Sequence, residues 1–166
     1  EELGDLPGRV VGEAASKLGA KGVKTGSYNV IFSAKMARAL LSTFSSVFSA
    51  KNAQMGLSLL AGKEGEVIAA DCITICDDPA HIGFSNKTYF DGEGVATYKK
   101  NVVEKGVLKT LLYDLTTAEK AGKCSTGNGQ RGSYTSSVSI APYCFSIEGG
   151  DISEPVTIIF FIYFSL

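Results

Sequence analysis

The sequence predicts an α+β fold, with helices packed on a mostly antiparallel sheet. Three observations carry this. Stretches with helical spacing of apolar residues and stretches of strand-like composition both occur, but they do not alternate in the regular way that builds a parallel sheet. Lys105-Gly106 separates two strand-like runs with the turn chemistry of a tight hairpin, a connection open to antiparallel strands. The 166 residues are 45% hydrophobic, enough for one full-sized domain with a real core.

In chain order, residues 8–20 carry Val10, Val11, Ala14, Ala15 and Leu18 on one helical face and end at glycine. Tyr28 to Phe32 reads as a strand. Ser33 is placed to cap a helix running from Ala34 to Ser49, with Met36, Ala37, Leu40, Leu41, Phe44, Val47 and Phe48 as its core positions. A further helix is expected over Asn52 to Leu60. "GEVIAADCITICDD" is strand-like, with Cys72, Thr74 and Cys76 on one face, and Asp77-Asp78-Pro79 ends it. "YFDGEGV" is a glycine-rich turn before the hairpin. After Asp114 a short helix through "LTTAEKAG" leads into "KCSTGNGQRGSY", and "CFSIEG" is the last regular strand.

The net charge of -1, with both signs scattered, argues against direct nucleic-acid binding, which needs a basic stripe. The four cysteines are too few and too dispersed for a disulfide framework and read as reduced thiols of a cytoplasmic protein. "EELGDLPGRV" has neither the basic cluster nor the apolar core of a leader peptide. From Val156 the apolar run "VTIIFFIYFSL" stops after eleven residues, too short to span a membrane as a helix. Its β-branched and aromatic content suits a buried strand, but no partner element follows it, which predicts a truncated chain.

"STGNGQRGS" is the clearest candidate for binding chemistry. Consecutive backbone N–H groups in a glycine-rich loop make a concavity for phosphate or carboxylate, and Arg131 adds a fork-shaped donor. It has neither a P-loop ending nor dinucleotide-fingerprint spacing, so the alternative is a connection that uses glycine for positive φ and Asn128 for turn bonds. Lys24-Thr25-Gly26 matches one serine β-lactamase box, but no Ser-x-x-Lys accompanies it. Cys72, Cys76 and nearby His81 lack paired zinc spacing and read as packed thiols beside a loop histidine. Asp77 with Asp78, and Asp91 with Glu93, are carboxylate pairs in turns, where solvation is the ordinary state. A single histidine cannot build a multi-histidine metal centre.

The ordered segments "TGSYNVIFSAKMARALL", "GLSLLAGKEGE", "DCITICDDP", "FDGEGVAT", "VVEKGVLKTLLYD" and "TAEKAGKCSTGNGQRGSY" resemble the TldD/PmbA family, named for peptide maturation and DNA-gyrase modulation, from about Gly8 to about Asp151. The resemblance implies that residues 1–24 end a preceding family region, that 25–152 form the first part of the family's C-terminal domain, and that 153–166 are an atypical apolar tail on a fragment. TldD-type subunits are zinc peptidases with a His-Glu-x-x-x-His helix; PmbA (TldE) subunits lack that motif. Aligning Leu40-Leu41 with the family's leucines sets Ser42, Thr43 and Val47 at the motif positions, where hydroxyls and valine replace imidazole and carboxylate.

The resemblance therefore implies a non-catalytic PmbA/TldE-like subunit with no catalytic residues, metal or cofactor of its own. Its expected partners are a TldD-type metallopeptidase subunit and a peptide or unfolded protein. Thr126, Gly127, Asn128 and Arg131 are expected on a surface loop facing the peptide groove or the subunit interface. Tyr143 and Cys144 replace a Thr-Asn pair of the family and remove two polar groove candidates. Two other roles stay open: a peptidase in its own right, and a protein-binding regulator of the gyrase-modulator kind.

Overall fold

The computed structural model of the chain describes residues 5–26, 28, 30–83, 87–148 and 158–160. The chain divides into two compact units, Glu1–Val30 with Phe160–Leu166, and Ile31–Ile159. In the first, α1 (Leu6–Ala15) carries Pro7 in its opening turn, where a missing N–H costs nothing, and buries no residue. It ends at Ala15, one turn before the expected glycine stop at Gly19.

β1 (Val30–Phe32), whose first residue ends the first unit's N-terminal segment, leads into α2 (Ala34–Phe44) of the second, whose N-terminus is capped by the Ser33 hydroxyl accepting Met36 N–H at 3.3 Å. The expected long helix instead tightens into a 3-10 turn at Ser45–Phe48, and α3 covers only Ala50–Gln54. Gly56, at φ 72°, takes a left-handed conformation that turns the chain, so no helix reaches Leu60. Of the apolar α2 positions, Ala37 is buried, while Met36 and Phe44 are exposed.

The central sheet is antiparallel, in the order β4 (Val107–Leu108), β3 (Lys100–Glu104), β2 (Ile75–Asp77), β7 (Phe145–Ile147). β2 is far shorter than its apolar run predicts, because residues 64–70 are diverted around the hairpin. Ile68 and Ala69 donate to the Gly106 carbonyl, and Gly65 N–H bonds Leu108 O at 2.7 Å, covering the β4 edge. Lys105 (φ 46°) and Gly106 (φ 78°) are both left-handed, as the expected hairpin turn requires. A side chain at Gly106 would also meet Ala69 O at 2.3 Å.

β3 supplies Val102 and Val103 to a core completed by Phe48, Ala50, Ile75, Leu108, Leu111, Leu112, Tyr113 and Ala118. Phe48 meets Phe145 edge to face at 5.2 Å between ring centres. α4 (Leu115–Ala121), the short helix expected after Asp114, starts on a capping box between Asp114 and Thr117 and stops at left-handed Gly122. β5 (Gly129–Gln130) pairs with β6 (Ser139–Ile140), and β8 (Ile158–Phe160) with β1. The rest of the apolar tail, and Asp151 and Ile152 before it, lie outside the described residues. Cys72 is exposed whereas Cys76 is buried, so the two do not share a sheet face.

Candidate functional site

Asp77 closes β2 at the centre of the sheet and is wholly buried. Its Oδ1 accepts the backbone N–H groups of Tyr143 (2.8 Å) and Cys144 (2.9 Å), and its Oδ2 accepts Asn128 Nδ2 at 2.8 Å. Lys100 Nζ lies 3.4 Å from the same Oδ2. The expectation of a solvated turn carboxylate is thus corrected: three N–H donors and an ammonium replace the water that Asp77 gives up. The sequence signal for Lys100 was its register. Two residues before Val102, it shares that residue's inward face. Burial pushes the Lys100 ammonium below its ordinary pKa, although Asp77 opposes the shift.

Asn128 spans this hub and the glycine-rich loop. Its amide also donates to Ala141 O at 3.1 Å, and its own carbonyl accepts the Thr126 hydroxyl at 2.8 Å. Thr126 Oγ1 in turn accepts Tyr113 N–H at 2.7 Å. Thr126, Gly127 and Asn128 are therefore buried, which corrects the expectation that they lie on the surface. Polar residues in a glycine-rich stretch suggest exposure, but here each finds a partner across the chain. Gly127 (φ 68°) passes so close to Ala96 that a Cβ would stand 2.6 Å from its carbonyl oxygen.

The second signature turn docks against the first. Asp91, also buried, accepts Glu93 N–H and Val95 N–H on Oδ1 and Gly129 N–H on Oδ2, each at 2.9 Å. Gly92 donates to Gly129 O at 2.6 Å. Glu93 Oε2 accepts the Leu115 N–H at the start of α4 at 2.8 Å. Neither carboxylate pair named from sequence is a free acid–base pair. Tyr143 stands near both buried acids, and burial first, then Asp91 and Asp77, push its phenol up to about 12. Tyr143 and Cys144 reach Asp77 through their main-chain N–H groups, so these contacts do not depend on the side chains they carry.

Arg131 is exposed. It lines a groove of about 770 Å³ with Lys51 and Gln54 of α3, Met55 just after that helix, Lys120 of α4, and Glu93. Gln54 Nε2 donates to Thr117 O at 2.8 Å, fixing the two helical walls together. On the other side of α3, Glu64 accepts Leu111 N–H (2.8 Å), the Tyr113 hydroxyl (3.0 Å) and the Lys123 ammonium. Burial alone would raise the Glu64 pKa, but those three donors outweigh it and hold the carboxyl below its ordinary value.

Ser42 and Thr43 sit in the last turn of α2 and Val47 in the 3-10 turn. Thr43 Oγ1 donates to Ala39 O at 2.8 Å, an ordinary helix back-bond. His81, the only histidine in the sequence, is exposed and accepts Gly83 N–H on Nδ1 at 3.1 Å. Among the described residues no three His, Cys, Asp or Glu side chains converge. Hydroxyls and valine are not zinc donors, so the residues present do not fit the family's metal. Burial, the main cause, raises the Cys76 and Cys144 thiols above their ordinary pKa, which suits packed rather than reactive cysteines.

Residues 25–159 match the family described as the PmbA/TldA metallopeptidase C-terminal domain. An uncharacterized protein of Methanocaldococcus jannaschii is 45% identical over 123 residues, 72% of this chain and 29% of the relative. A crystal structure from Thermotoga maritima, described as a modulator of a DNA gyrase, superposes with a TM-score of 0.76 at 39% identity, over 86% of this chain and 32% of that one. TldE from Thermococcus kodakarensis superposes at 0.69 with 32% identity, over 89% and 34%. The chain thus spans about a third of the length of these relatives.

Proposed function

The chain belongs to the PmbA/TldD metallopeptidase family, and from that premise we propose that it supplies part of the C-terminal domain of a non-catalytic, PmbA/TldE-like subunit. That subunit pairs with a TldD-type zinc metallopeptidase and helps hold a peptide or unfolded protein for it, in peptide maturation or proteolysis. Residues 1–24 close a preceding region, 25–152 begin the C-terminal domain, and 153–166 are an atypical tail. One observation supports the reading: Ser42, Thr43 and Val47, which the resemblance sets at the motif positions, lie in the last turn of α2 and the 3-10 turn and carry neither imidazole nor carboxylate. In a zinc peptidase the metal polarises the scissile carbonyl and activates water. Here that chemistry belongs to the partner, and this chain contributes groove walls.

The described cysteines are all free thiols, in keeping with a reducing, cytoplasmic setting. Among the described residues no helix is long and apolar enough to cross a membrane. The test is peptide hydrolysis and metal analysis of the purified full-length protein, alone and with its TldD-type counterpart. Turnover only with the counterpart, and no stoichiometric zinc in the isolated subunit, is the expected result. Zinc-dependent turnover by the subunit alone would establish a peptidase in its own right. Binding to gyrase that is indifferent to the counterpart would favour the regulator suggested by the Thermotoga relative's description.

A further inference from the structure

We propose that the groove between α3, α4 and Arg131 is a carboxylate-binding subsite that selects acidic peptide segments. The inference rests on the reading that this chain holds peptide, and it names the chemical class of that peptide. Three cations, Lys51, Lys120 and Arg131, line the groove and are exposed, and their side chains make no ion pair or hydrogen bond among the described residues. Its acids are differently placed. Asp114 is buried, with Oδ1 accepting the Thr117 N–H (2.7 Å) and hydroxyl (2.6 Å), and Glu93 accepts Leu115 N–H. The carboxylates are therefore committed to the fold, whereas the ammonium and guanidinium groups keep their donors free for a ligand.

Arg131 is also held in place. Gly92 lies against it so closely that a Cβ there would stand 3.2 Å from Arg131 Cγ and 3.1 Å from its backbone nitrogen. The signature Asp-Gly-Glu-Gly turn thus leaves room for the arginine and braces its stem. A planar fork fixed at its base suits two-point contact with a carboxylate, and two mobile lysines add charge at the other wall. Met55, 61% exposed, adds apolar surface for the rest of a peptide chain. Two peptide carboxylates share this chemistry: an Asp or Glu side chain and the free C-terminus.

The experiment measures anisotropy of labelled peptides on the full-length subunit, without its TldD-type partner. A peptide with two glutamates is compared with its glutamine counterpart, each as free acid and as C-terminal amide. The glutamate peptide is expected to bind on the order of tenfold more tightly, with the preference shrinking as salt rises. An equal loss of affinity by both peptides on amidation would assign the subsite to the C-terminus. Lys51→Gln/Lys120→Gln/Arg131→Gln should abolish the preference, and Lys99→Gln, outside the groove, should leave the binding of both peptides unchanged. Equal affinity for glutamate and glutamine peptides with no loss on amidation, or a carboxylate preference that survives the triple substitution, overturns the proposal. Hydrolysis of the glutamine peptide by the reconstituted pair checks the partner reading separately, so either can fail alone.

Discussion

At the residue scale, Asp77 shows how much one buried carboxylate can organise. Asp77→Ala would strand the Lys100 ammonium in the core and free three N–H donors, at a cost of about 3–5 kcal/mol. Lys100→Met should cost clearly less, because the carboxylate keeps its N–H partners; urea unfolding of the two variants checks the order. Glu64 gives a pH signature. Its folded pKa is depressed, so its contribution is present above the unfolded value and lost as pH falls through the folded one. Melting curves between pH 3 and 6 should therefore show a shallower acid-side loss in Glu64→Gln. Lys123 works in the opposite sense. The salt bridge to Glu64 and the Tyr113 hydroxyl raise its pKa against the opposing pull of burial, so its contribution fades only as pH rises through that raised value.

At the element scale, the glycines that matter are those whose backbone conformation and neighbours both exclude a side chain. Gly106→Ala in the hairpin and Gly127→Ala in the signature loop would each combine a left-handed φ with a backbone oxygen closer than any Cβ tolerates. Each should cost more than the ~1–2 kcal/mol of the left-handed conformation alone, measured by chemical denaturation. Gly94→Ala, also at positive φ but with open space around it, should come nearer that bare conformational cost. The α4 cap is a milder test. Asp114→Ala should lose about 1 kcal/mol of helix stability.

For the whole molecule, burial among the described residues is concentrated where the central sheet meets the two glycine-rich turns. Val102 and Val103 are fully buried in β3, whereas α1 buries nothing. Amide hydrogen exchange should accordingly be slowest in β2 and β3 and faster by orders of magnitude in α1. Equal protection across both would contradict this division. The groove stands on the stable part, since Gln54 ties α3 to α4 and the Gly92–Gly129 contact holds the Arg131 loop to the hub.

The sequence by itself determined the α+β class, the Lys105-Gly106 hairpin, the Ser33 cap, the short helix after Asp114 and the family resemblance, because each depends on local chemistry or on a linear pattern of residues. It also showed that Ser42, Thr43 and Val47 are not metal donors. Only the tertiary structure decided that Thr126, Asn128, Asp77 and Asp91 are buried. Their long-range hydrogen-bond partners lie between 13 and 67 residues away along the chain, at distances that no periodicity records. Likewise the apolar run ahead of Ile75 could not show that its residues would be diverted around a hairpin 30 residues later. A polar residue's burial depends on whether the rest of the fold brings it a partner, and that is a property of the assembled chain.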